Sequence, residues 1–156
     1  MATAVAALLT IAAFAQDGKT IYNKYSDSKG VSAVYVSPAM FRMFGKIPDL
    51  NLGEDSVNVA PLIKSLNGLY LIDSQDEGVN SSMKKDVKKL VTAGDYEMMM
   101  EVKDSGSVVH LYTTTKGEFI TGLVFMAEDG GECTFICLDG QMPRKDFENM
   151  ISKAAE

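Results

Sequence analysis

The sequence predicts an α+β fold: an antiparallel sheet whose C-terminal half is a four-strand meander, packed against about five short helices. Three observations predict it. Strand-like runs in the second half are separated by hairpin signals at Asp104-Ser105-Gly106, Lys116-Gly117 and Asp129-Gly130. The first half carries apolar stripes at helical spacing, several ended by glycine. Helices therefore gather early and strands late, a pattern that favours α+β over a doubly wound parallel sheet.

Residues 1–15, MATAVAALLTIAAFA, stand apart from that pattern. Thirteen are apolar and none is charged. The run is shorter than the ~20 residues of a spanning helix. It ends in Ala13-Phe14-Ala15, a small-x-small site followed by Gln16. These are the apolar region and cleavage site of a secretory signal, although no Lys or Arg precedes them. The expected organisation is a cleaved leader over 1–15 and a single domain over 16–156, exported to the periplasm or cell envelope or secreted. No second long apolar run follows, so no transmembrane segment is expected in the mature chain.

Ile21, Tyr22 and Tyr25 lie at helical spacing, with Gly30 as the stop. Val31 to Val36, VSAVYV, is β-branched and aromatic and reads as a strand. Ser37-Pro38 opens a helix whose stripe is Met40, Phe41 and Phe44, ended by Gly45. A loop is expected from Lys46 to Asp55. Val59, Leu62, Ile63 and Leu66 then repeat at i, i+3, i+4 and i+7, predicting an amphipathic helix stopped by Gly68. Leu69 to Ile72 reads as a strand, and Met83, Val87, Leu90 and Val91 as a helix ending at Gly94. Tyr96, Met98, Met100 and Val102 alternate with Glu97, Met99, Glu101 and Lys103, predicting a strand with one buried face and Met99 exposed. The hairpin strands follow at 107–115, 118–126 and 132–138. Pro143 starts a last helix with Phe147, Met150, Ile151 and Ala154 on one face.

Composition narrows the function. The chain has 156 residues, 46% of them hydrophobic, and a net charge of -6. A chain of this size buries roughly two-thirds of its unfolded surface and needs no metal or disulfide to fold. The acidic balance argues against nucleic acid as a partner. Gly18-Lys19-Thr20 lacks the upstream glycine of a phosphate loop, and neither G-x-G-x-x-G nor G-x-S-x-G occurs. His110 is the only histidine, so one chain cannot build a multi-histidine zinc site. No cofactor is expected.

Cys133 and Cys137 are the only cysteines. Four residues along a strand span roughly 13 Å, too far for a disulfide, so both read as small buried hydrophobes on the face of Phe135. A Cys/His hydrolase built from Cys133 or Cys137 with His110 would lack a recognisable orienting group or oxyanion loop. Asp73, Gln75 and Glu77, with Gly78, fall at positions 1, 3, 5 and 6 of a calcium loop, but position 12 is Lys84 rather than a bidentate Glu. Lys84, Lys85, Lys88 and Lys89 crowd one helix. They suit an anionic glycan or lipid headgroup, or simply form the wet face of an amphipathic helix.

Strand 118–126 is apolar on both faces, Phe119, Leu123 and Phe125 on one and Ile120, Val124 and Met126 on the other. Strand 132–138 behaves likewise, with Phe135 opposite Ile136 and Leu138. Either helices cover both faces, or the second face meets a ligand or partner. The expected function is a non-enzymatic module that binds a protein partner or itself, with Ile120, Val124, Met126, Ile136 and Leu138 as interface candidates. The alternatives are a small-ligand or calcium carrier and the Cys/His hydrolase.

The stretch Tyr25 to Phe44, YSDSKGVSAVYVSPAMFRMF, resembles the opening signature of the domain-of-unknown-function family numbered four-two-five-two. Its members pair a short helix ending in a glycine turn with a V-Y-V/I-S strand and a Met/Phe-rich helix. Leu62 to Asp73, LIKSLNGLYLID, and the hairpin-rich second half are similar too. The resemblance implies a small exported envelope protein of bacteria and carries no catalytic residues. Some members have a lipobox cysteine after the leader, which this chain lacks.

Overall fold

A computed structural model describes residues 17–44, 51–52, 57–58 and 65–154. The described elements are α1 (Gly18–Tyr25), β1 (Val31–Val36), α2 (Pro38–Phe44), β2 (Asn51–Leu52), β3 (Val57–Asn58), β4 (Leu66–Ser74), α3 (Glu77–Ala93), β5 (Glu97–Asp104), β6 (Ser107–Lys116), β7 (Phe119–Asp129), β8 (Glu132–Pro143) and α4 (Arg144–Ala154). Six strands form one antiparallel sheet in the order β1-β4-β8-β7-β6-β5, and β2 and β3 form a separate small hairpin. The fold is α+β. The expected meander is β5 to β8, and β4 and β1 extend it beyond β8.

Turn chemistry sets the meander. Ser105 and Gly106, and again Gly130 and Gly131, have positive φ at both corners, the two-residue turn whose twist matches paired strands. The second turn fixes Asp129 opposite Glu132, and so Val124 opposite Cys137 and Phe125 opposite Ile136.

The helices are capped by local side chains. Asp17 accepts from the Thr20 N–H at the start of α1, and Asp76 accepts from the Val79 N–H at the start of α3. The Gly94 N–H closes α3 on the Leu90 carbonyl. Both helices pack on one face of the sheet. There Ile21, Tyr25, Met83, Val87 and Leu90 meet Tyr70, Ile72, Val124, Met126, Phe135 and both cysteines. Asp86 ties the two helices together: the Lys24 Nζ and the Tyr25 hydroxyl both donate to its Oδ2, each at 2.6 Å.

Several expectations change. Four helices are described rather than about five, and α3 is long, with 17 residues. The helix expected from Val59 falls largely outside the described residues. Its last member, Leu66, opens β4 instead. Gly68 is a strand residue beside a bulge, not a helix stop. Asn51 and Leu52, expected in a loop, form β2. In α2 only Phe41 of the expected stripe is buried, whereas Met40 and Phe44 are exposed. β5 has no buried face. Its Met98, Met99 and Met100 are 51%, 58% and 41% exposed. A bulge at Met99 breaks the alternation, setting Met98 opposite Tyr112 and Met100 opposite Leu111, which lie on opposite faces of β6.

Candidate functional site

The two faces of the sheet differ in cover. Through the middle of β4, β7 and β8, residues alternate between buried and half-buried. The buried set is the core under α1 and α3. The half-buried set is apolar at its centre, with Asp73, Thr121 and Thr134 toward its ends. Leu69 and Leu71 of β4 pair with Leu138 and Ile136 of β8, and these pair with Leu123 and Phe125 of β7. The row continues to Leu111 on β6 and to the exposed Val34 on β1 and Met100 on β5. Among the described residues α1 and α3 lie on the other side, and we call this the open face; α2 also lies against β4. It runs across all six strands, about 24 Å at the usual strand spacing.

The structure divides the five interface candidates. Ile136 and Leu138 lie half-buried on the open face. Val124 and Met126 are 0% and 4% exposed on the helix-covered face, so neither is available to a partner. Ile120 is 6% exposed and pairs with Met142 beyond a bulge at Thr121, apart from the main core. It lines a groove of about 460 Å³ together with Phe147 of α4 and Glu97, Met99 and Thr113. The open-face residues absent from the expectation are Leu69, Leu71, Leu123 and Phe125. The two-residue turn after Asp129 carried the signal for the last two. It forces Val124 onto the face of Cys137 and Phe135, and leaves Phe125 with Ile136.

Both thiols are buried. Cys133 and Cys137 are free, buried and on the core face with Phe135. Burial pushes the Cys133 thiol up to about 11, and drives that of Cys137 higher still. Neither supplies a thiolate near neutral pH. His110 sits two strands away on β6, across β7, and its Nε2 lies 2.8 Å from Glu101 Oε2. The three residues are not brought together as a nucleophile and its base.

A second polar feature surrounds Asp139. It is paired with Gly68 on one side and Gly122 on the other, both inside strands. A Cβ at Gly122 would meet the Tyr96 hydroxyl at 2.6 Å, and one at Gly68 would meet the Tyr70 ring at 3.3 Å. The glycines thus admit two phenols beside the carboxylate. The Cys137 thiol donates to Asp139 Oδ1 at 3.7 Å. Burial, offset by the thiol hydrogen bond and reinforced by Asp17, raises the Asp139 pKa. Burial also pushes the Tyr70 phenol up to about 12. The group sets one carboxylate beside two neutral phenols.

The acidic loop runs from β4 into α3. Asp73 lies in β4 and accepts from the Thr134 hydroxyl at 2.8 Å, Gln75 is in the following connection, and Glu77 opens α3. Among the described residues no three His, Cys, Asp or Glu side chains are grouped to hold a metal ion. Lys84, Lys85, Lys88 and Lys89 are exposed on α3, with Lys84 paired to Glu128 at 2.6 Å. Among the described residues no helix is long and apolar enough to cross a membrane.

No curated protein and no solved structure matches the chain. A family model does, over residues 25–150, which is most of the sequence, and it begins at Tyr25, where the signature read from the sequence begins. The chain belongs to the family described as Domain of unknown function (DUF4252).

Proposed function

We propose that the chain is an exported, non-catalytic binding domain of the bacterial cell envelope, and that its open sheet face docks a protein partner. The observation that carries the reading is the apolar row Leu71, Ile136, Phe125 and Leu111, half-buried on four adjacent strands opposite α1 and α3. Apolar surface at this scale marks an interaction site more often than plain solvent-facing sheet. The burial of both cysteine thiols supports a binding role over thiol chemistry. The apolar leader ending at Ala13-Phe14-Ala15 supports export.

Phe125→Asp and Ile136→Asp test the docking reading. Both place a charge on the open face at half-buried positions outside the helix-covered core, so far-ultraviolet circular dichroism should stay native. In native mass spectra of the protein from the envelope, both variants should lose the associated chain that the wild type retains. An unchanged complex in both variants would move the partner elsewhere. A recovered chain that still carries residues 1–15 in the cytoplasmic fraction would overturn export.

A further inference from the structure

We propose that β5 pairs antiparallel with β5 of a second copy about a twofold axis at Val102, joining two six-stranded sheets edge to edge. This goes beyond docking on the open face, because the edge needs no contact there. β5 is a terminal strand of the sheet, bonded to β6 alone. Every one of its eight residues is exposed. Its outward N–H and C=O groups form the row that another strand completes.

The sequence of the edge selects one register. The bulge at Met99 and the turn at Ser105-Gly106 confine the regular stretch to Met100–Asp104, whose centre is Val102. Glu101 and Lys103 flank that centre symmetrically. They lie on the same face, bonded to each other at 3.0 Å. A twofold at Val102 sets each Glu101 opposite the second copy's Lys103, twice. Moving the axis by one residue keeps cross-strand partners on one face but changes which charges meet. Moving it to Glu101 sets Glu on Glu, and moving it to Lys103 sets Lys on Lys, both unfavourable. On the other face the same axis brings Val102 against Val102, beside Met100. The opposite edge offers no such choice. β1, VSAVYV, has no charge to set a register. A five-residue overlap buries less than the ~800 Å² per partner of a stable dimer, so the pairing is weak and concentration-dependent.

Charge reversal tests it by sedimentation velocity of the purified chain over a concentration series. The wild type should show a reversible monomer–dimer equilibrium. Lys103→Glu alone and Glu101→Lys alone should each weaken it roughly tenfold or more, because each sets like charges opposite one another twice. Mixing the two single variants should restore dimer as a heterodimer, since every cross-strand pair is then unlike. The double variant Glu101→Lys/Lys103→Glu should recover wild-type assembly within about threefold. Circular dichroism should be unchanged throughout, as these side chains are exposed. A wild type that stays monomeric at millimolar concentration overturns the inference, as does a dimer insensitive to charge reversal. A dimer lost in Phe125→Asp but untouched by both charge variants would place assembly on the open face instead, so the edge inference would fall while the docking reading stood.

Discussion

Val124 and Phe125 are neighbours on β7, both apolar, and they occupy opposite environments. Val124 is 0% exposed beneath the helices, and Phe125 is half-buried on the open face among Leu111 and Ile136. The sheet is as apolar on the side without α1 and α3 as on the side they cover. Apolar content alone therefore does not distinguish a core from an interface. Helical cover does, and that depends on which strand residues share a face with the helices.

The largest expected effect breaks this comparison at its sharpest point. Val124→Asp buries a charge with no cation beside it and should cost about 4 kcal/mol or more, enough to unfold the domain. Phe125→Asp should cost roughly 1–2 kcal/mol and leave a cooperative thermal transition. Denaturant melts of the two variants give the test. Similar losses in both would mean that the open face is core in solution, and the docking reading would fall with it.

The next effect concerns what holds the helices on their face. Asp86 is buried on α3 and accepts from both Lys24 and Tyr25 of α1. Asp86→Ala leaves the buried Tyr25 hydroxyl without that acceptor and should cost about 2–4 kcal/mol in urea unfolding. Lys24→Ala should cost about 1 kcal/mol or less, because the Lys24 side chain is 53% exposed and its charge is screened. Equal costs would show that the charge pair, not the tyrosine hydrogen bond, fastens α1 to α3.

Much of the closed face was legible in the sequence, for a physical reason. α3 has a strict 3.6-residue stripe between an Asp cap and a Gly stop, and the β7–β8 turn has corners that only particular residues adopt. Such signals are local. Three features were not local. The placement of β1 and β4 beyond β8 joins strands that lie far apart in the chain. The bulge at Met99 comes from pairing with β6, so the alternation Met98, Met100, Val102 gave a false buried face. The division of the interface candidates needed the register of two strands taken together; Val124 and Ile136 are each apolar, but they point apart. The Asp139 cluster did leave a sign. Gly68 and Gly122 interrupt apolar strands, and a glycine inside a strand marks a close approach by another group.

The smallest expected effect sharpens the contrast from the polar side. Asp139 lies at the end of the closed face, where two glycines make room for Tyr70 and Tyr96. Its pKa is raised above the ordinary value of 3.8, chiefly by burial, so the folded chain binds its proton more tightly than the unfolded chain does. Its contribution to stability is complete below that ordinary value and is lost as pH rises through the higher folded value. Above that folded value the ionised carboxylate therefore opposes folding. Asp139→Asn keeps the shape and removes the charge, so it should raise the Tm at pH 7 by a few degrees. The advantage should shrink as pH falls through the folded value and the native carboxyl takes up its proton. Thermal melts of both proteins at several pH values measure the difference directly, which cancels the titration of every other group. A variant that melts lower than the wild type at pH 7 would show that the ionised carboxylate is stabilised by a cation in solution. The closed face would then contain a charge pair, and its contrast with the open face would rest on polarity as well as on helical cover.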